Sequence, residues 1–301
     1  MIPLFDCHCD TISRVMTEGG SLRKNGFHTD LERLHKFTPC AQVFAVCAET
    51  LDRPVEKADA MLRRLSQEIE ENSDIVMLCL NFHDIKKAAE SGKVAVFISI
   101  EGCEQISSLE SAYQNGVRIL HPTWNFDNEL CGAAVGSGRG LTEKGRAFVK
   151  KAQHMGFALD MSHISERGFW DTLEACEKPV IAGHSNARAI CNVPRNLTDE
   201  QFNALVTVGG GTGINLYPEF LGLGKDINAV IAHIEHFLSL GGERSVFLGC
   251  DFDGIDSTPT GLDGVQKLDK LYNELLNRNY PEALVRALFW DNLYDIMEKM
   301  L

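Results

Sequence analysis

The chain has 301 residues, with 29 Lys and Arg against 42 Asp and Glu, a formal charge of −13 at pH 7. Nucleic acid is not an expected partner, because phosphate binding draws its affinity from clustered basic side chains. Hydrophobic residues at 44% and charged residues at 24% exclude a disordered chain and allow a large core.

The first residues, Met1-Ile-Pro-Leu-Phe-Asp-Cys-His8, have neither the basic start nor the apolar stretch of an export signal. No apolar run approaches the roughly 18 residues of a membrane span. The 10 Cys fall mostly inside apolar runs and form no Cys-x-x-Cys pair, the usage of a reduced, cytoplasmic protein.

Short β-branched or apolar runs, read as strands, fall at 3–8, 42–48, 75–80, 95–101, 117–121, 157–161, 179–183, 211–216 and 246–251. Helical periodicity lies between them, at 55–71, 143–155 and 229–240, where Val230, Ile234, Phe237 and Leu238 share one face. Thr198-Asp-Glu-Gln201 has the capping-box form of a helix start. The last residues, 289–301, form a charged amphipathic helix pattern.

Strand and helix alternating this often imply parallel strands joined by crossovers, either an open doubly wound sheet or a closed barrel. The open sheet lacks its fingerprint, since no G-x-G-x-x-G opens a helix after the first strand, and Gly136-x-Gly138-x-Gly140 lies in a loop. The expectation is a (β/α)8 TIM barrel in a single domain over 1–301, with 75–80 as the ancillary ninth strand.

In such a barrel the chemistry sits at the C-terminal ends of the strands. There the sequence places His8 and Asp10, Glu101, His163, His184 and Asp251. Three imidazoles and three carboxylates meeting at one mouth are ligands for divalent metals, zinc above all. Several buried carboxylates side by side would be costly without a cation. A catalytic zinc takes about three protein ligands, so six candidates suit two ions, an arrangement that performs hydrolysis. Strand alternation predicts Asp6, His8 and Asp10 on the luminal face, with Asp6 orienting His8, and Cys7 and Cys9 packed against the helices. His28, His35, His83, His154, His233 and His236 lie in helices or loops and are expected to be structural.

The motifs Asp6-x-His8-x-Asp10-Thr11, Ile100-Glu101-Gly102, Leu159-Asp160-Met161-Ser162-His163, Gly183-His184-Ser185-Asn186-Ala187-Arg188, Pro194-Arg195-Asn196-Leu197-Thr198-Asp199-Glu200 and Gly249-Cys250-Asp251-Phe252-Asp253-Gly254 occur in this order. Over residues 4 to 260 the chain resembles the membrane (renal) dipeptidase family, in its soluble form. The resemblance implies a dinuclear zinc dipeptidase on a TIM barrel of the metallo-dependent hydrolase type, with His8 and Asp10 on one zinc, His163 and His184 on the other, and Glu101 bridging. It implies that Asp251 contacts a metal and handles the proton, that Arg195 binds substrate, and that the protein is a homodimer. Asp253 and Gly254 are expected to shape the turn after the last strand.

One departure stands out. Where dipeptidases of this family often read Leu-Thr-His-Asn, with a histidine that helps bind the transition state, this chain reads Pro122-Thr123-Trp124-Asn125. Trp124 therefore becomes a substrate-binding candidate, and His121, an odd number of residues away, is expected to point elsewhere. The substitution leaves the metal ligands intact. It keeps open a second expectation, a related metal-dependent amidohydrolase acting on another small amide, an N-acyl amino acid or a lactone. For the dipeptidase, C-terminal D residues belong among the substrates to be tried.

Overall fold

The structure, a computed structural model, describes residues 1–222 and 224–301. Its strands are β1 (Leu4–Cys9), β2 (Cys40–Val46), β3 (Val76–Leu78), β4 (Val94–Glu101), β5 (Val117–His121), β6 (Ala158–Leu159), β7 (Ile181–Ala182), β8 (Gly211–Ile214) and β9 (Val246–Leu248). All pair in parallel, in the order β6-β5-β4-β2-β1-β9-β8-β7. A bridge between Asp160 and Ile181 joins the two ends, so eight strands form a nearly closed barrel. The ninth, β3, pairs only with β4 outside the ring, which makes the segment 75–80 the ancillary strand, as the sequence led us to expect.

Alternation along β4 defines the two faces. Val94, Val96, Ile98 and Ile100 pack outward with the helices, whereas Ala95 and Phe97 belong to the luminal cluster with Phe5, Val43, Ile119 and Phe247. Phe5 stacks on Phe97 at 6.3 Å and meets Trp290 at 5.6 Å. Trp290, Leu293 and Met297 of the C-terminal segment thus plug the N-terminal end of the barrel. The polar residues are left to the opposite mouth.

The helices begin where their side chains can cap them. Thr142, Ser165 and Thr198 each accept a backbone N–H of the first turn, and Thr198 with Gln201 closes the expected capping box. Five strands are shorter than the sequence suggested, 75–80 and 211–216 among them; of the other three, 157–161 yields two residues, 179–183 two, and 246–251 three. For the first and last of these three the reason lies just beyond the strand. His163 and Asp251 have φ of 69° and 61°, so the backbone leaves the extended conformation at two of the candidate metal ligands.

Candidate metal centre

Glu101, the last residue of β4, follows Ala95 and Phe97 on the luminal face and reaches the mouth. His8 arrives there by a less direct route. Asp6 pairs with Gln42 but Cys9 with Phe44, so three steps on β1 match two on β2. This bulge shifts the phase of the strand. Phe5 and Cys7 face the lumen, His8 reaches the mouth, and Cys9 packs outward.

The expectation that Asp6 and His8 share a face, with both cysteines outside, is therefore corrected for Asp6 and Cys7. Asp6 does not orient His8. Its carboxylate accepts from Cys250 N–H at 2.8 Å and Gln42 Nε2 at 3.3 Å, which ties β1 to its neighbours, and His8 Nδ1 has no hydrogen-bond partner.

Around His8 Nε2 lie Asp10 Oδ2 at 3.2 Å, Glu101 Oε2 at 3.7 Å and Asp251 Oδ1 at 3.9 Å. Glu101 turns its other oxygen to a second pair of rings, with His163 Nε2 at 2.9 Å and His184 Nε2 at 3.2 Å from Oε1. Those two nitrogens are 3.0 Å apart. One carboxylate thus stands between two groups of donors, and all six residues named from the sequence meet at one point of the mouth.

The donors fit a cation better than they fit one another. Glu101 Oε1 is buried close to two ring nitrogens yet meets neither in hydrogen-bonding geometry, and Asp10 Oδ1 is buried without a partner. Burial acts to lower the pKa of His8, but Glu101, Asp10 and Asp251 overcome it and raise it to about 10, so this point stabilises positive charge. Burial, with Arg195 nearby, lowers His163 to about 4; burial and His8 hold His184 well below the usual range. Both rings are neutral at pH 7, with lone pairs free for a metal. Burial, then Asp10 and Glu101 against His8, raises Asp251 to about 7.

Residues beyond those six hold them in place. Asn125 Oδ1 accepts from His163 Nδ1 at 2.9 Å, which presents Nε2 to Glu101. Asn215 Nδ2 donates to Asp251 Oδ2 at 2.8 Å. Arg195 is only 6% exposed, its Nε and Nη2 have no partner, and its guanidinium lies 5.5 Å from the Phe220 ring centre. Arg195, Trp124, Tyr217, Glu49 and the carboxylates line a cavity of about 130 Å³ over the centre. Trp124 is half-buried there, its ring 6.3 Å from that of His163.

A profile of the membrane dipeptidase family (peptidase family M19) matches residues 1–300. The chain belongs to the membrane dipeptidase family. It is 32% identical over 264 residues to an uncharacterised protein in the pqqA 5′ region of Klebsiella pneumoniae, covering 82% of this chain and 97% of that one. A metallopeptidase from Rhodobacter sphaeroides, solved with a phosphinate mimic of the dipeptide L-Ala-D-Ala, superposes with a TM-score of 0.90 at 26% identity, over 100% of this chain and 99% of that one. A dipeptidase described as a metallopeptidase of family M19 gives 0.91 at 26% identity, over 99% of each chain. Membership of this metallopeptidase family makes the chain a metal-dependent hydrolase of the dipeptidase type.

Three contributors to this dipeptidase site escaped the sequence reading. His121 does not point elsewhere: it shares the parity of the luminal Ile119, faces the lumen, and sets Nε2 3.6 Å from Asp160 Oδ2 beneath His184. Its place at a strand end was signal enough. Asp160, whose Oδ1 accepts from Ser162 and Gly183 N–H, and Asn215, just past β8, also stood at strand ends. The six histidines expected to be structural all lie away from the centre; His28, for example, accepts from Asp253 N–H at 3.0 Å. Asp253 in turn accepts from Thr11 and from His28 N–H, and so fastens the turn. Among the described residues no helix is long and apolar enough to cross a membrane.

Proposed function

We propose that this protein is a dinuclear zinc dipeptidase. The observation that carries this reading is the position of Glu101, with Oε2 toward His8 and Oε1 toward His163 and His184. His8, Asp10 and Asp251 would hold one ion, His163 and His184 the other, and Glu101 both. When bound, zinc supplies Lewis-acid charge that polarises the scissile carbonyl and makes water acidic enough to attack near neutral pH. The remaining work falls to this chain's side chains. Asp251, held through Oδ2 by Asn215, keeps Oδ1 at the centre, where it takes a proton from the attacking water and returns one to the leaving amine.

Arg195, buried and unpartnered, receives the dipeptide carboxylate in paired, charge-assisted hydrogen bonds. Trp124 forms an apolar wall against a substrate side chain. The ten free cysteines fit a reducing, cytoplasmic setting, and family resemblance carries a homodimer, to be read from sedimentation.

The decisive experiment combines elemental analysis of zinc-supplemented protein with a dipeptide panel that includes C-terminal D residues. Two ions per chain and hydrolysis of free dipeptides are expected. One ion or none would defeat the dinuclear reading. Trp124 favours a second reading, an amidohydrolase for another small amide, and turnover of N-acyl amino acids or lactones without dipeptides would decide for it.

A further inference from the structure

The mouth is electrically lopsided in a way the metal ligands do not require. Counted around the barrel from β1, the second strand is β2 and the sixth is β7. Glu49 follows the second and Arg195 the sixth, half a turn apart, and both line the cavity over the centre. Arg195 is nine-tenths buried with two unpartnered nitrogens and needs an anion from the ligand. Glu49 is its counterpart. The cations of its own loop are engaged elsewhere, Arg53 with Asp52 and Glu56, and Lys57 with Asp52. Glu49 is exposed to solvent at the rim; partial desolvation there raises its pKa, and Asp10, Glu101 and Asp256 push it further up.

Glu49 also has φ of 51°, the left-handed backbone found at His163 and Asp251. Among the described residues no cation pairs with this carboxylate, which leaves it open to a ligand at the rim of the mouth. A zwitterion laid across the mouth would supply that cation.

We infer that Glu49 binds the free α-ammonium of the substrate's N-terminal residue, opposite Arg195 on the carboxylate, and so selects dipeptides over N-acyl amino acids. This rests on the dipeptidase reading and extends it. With the carboxylate at Arg195, the peptide bond lies over Glu101 and the ammonium points to the β2 side of the mouth. Glu49 stands there between the central cavity and a second one of about 350 Å³, lined in part by Met16, Cys47 and Met61. A side chain on the N-terminal residue has apolar space to enter.

The test compares Ala-Ala with propionyl-Ala, which differs only in lacking the ammonium, in zinc-loaded wild type and Glu49→Gln. Wild type is expected to prefer Ala-Ala. In the variant kcat/KM should fall about 10- to 100-fold for Ala-Ala and stay within about twofold for propionyl-Ala, with zinc content unchanged. Equal loss on both substrates, no loss on Ala-Ala, or a wild type indifferent to the ammonium overturns the assignment while leaving the dipeptidase intact. A zinc-loaded wild type that cleaves neither Ala-Ala nor any other dipeptide overturns the dipeptidase reading, and the assignment with it.

Discussion

A buried guanidinium without partners is expensive, and Arg195 is kept in that state beside the centre. A bound substrate carboxylate would recover that cost. Arg195→Ala should lower kcat/KM for free dipeptides about 10- to 100-fold, roughly 1.4 to 2.7 kcal/mol, with metal content unchanged. Loss of the metals, or unaltered kinetics, would remove the residue from this role. Trp124 poses the opposite question. Half-buried against the cavity rather than packed in the barrel wall, it can be replaced at little cost to the core. A histidine there could offer a charged hydrogen bond to a developing oxyanion, which indole cannot. Trp124→His should raise kcat on small dipeptides by roughly tenfold, the worth of about 1.4 kcal/mol in the transition state, with an unaltered melt. A lower melting temperature without any gain in rate would make the tryptophan structural.

Elements bring these residues together, and two contacts between elements are exacting. Gly183, Gly213 and Gly249 meet where β7, β8 and β9 end; a methyl on Gly249 would fall well inside contact distance of Gly183 O. His184 and Asp251 are the neighbours of that contact. Gly249→Ala should therefore cost about 1–3 kcal/mol of stability and reduce bound metal together, since relief of the overlap moves two strand ends that carry ligands. A destabilised variant with full metal content would separate the contact from the centre.

The second contact joins the helix Ile227–Ser239 to the loop after β7: Ala187 N–H donates to His233 Nδ1 at 3.1 Å. His233 is fully buried, and burial lowers its pKa from 6.5 to about 4. The folded state thus refuses a proton that the unfolded state accepts, so the stabilisation is complete above pH 6.5 and is lost as pH falls toward 4. The loss reaches about 3 kcal/mol. His233→Asn keeps an acceptor for Ala187 but has nothing to titrate. Denaturant melts at pH 7 and pH 4.5 should find the gap between wild type and variant narrowing at the lower pH; a constant gap would refute the argument.

Over the whole molecule, the candidate ligands come from the ends of β1, β4, β6, β7 and β9, so a bound metal ties five of the eight barrel strands at one end. The apolar plug of Trp290, Leu293 and Met297 ties the other end without metal. Chelation should consequently leave a folded but weaker barrel. At metal concentrations about a thousandfold above Kd the linkage is worth roughly 4 kcal/mol, a fall in Tm on the order of 10 °C on stripping. Scanning calorimetry before and after chelation, with zinc added back, measures it. An unshifted Tm would mean that no metal binds at this mouth.

The periodic features were legible in the sequence because they are local. The alternation of strands and helices, the ancillary run at 75–80, the capping box at Thr198, and the placing of His8, Glu101, His163, His184 and Asp251 at strand ends all follow from patterns a few residues long. The faces of β1 were decided otherwise. A bulge arises from the register of β1 against β2, which no property of Asp6-Cys7-His8 announces, and it turned Asp6 away from His8 and Cys7 into the lumen. His121 was misjudged for a related reason: its face follows from its own strand, not from its distance to Trp124. Glu49 and Arg195, 146 positions apart in sequence, became a pair only when barrel closure set β2 and β7 on opposite sides of one mouth. Which residues could do chemistry was a matter of type and spacing; which of them face one another was settled by strand pairing and closure, long-range contacts that local pattern does not encode.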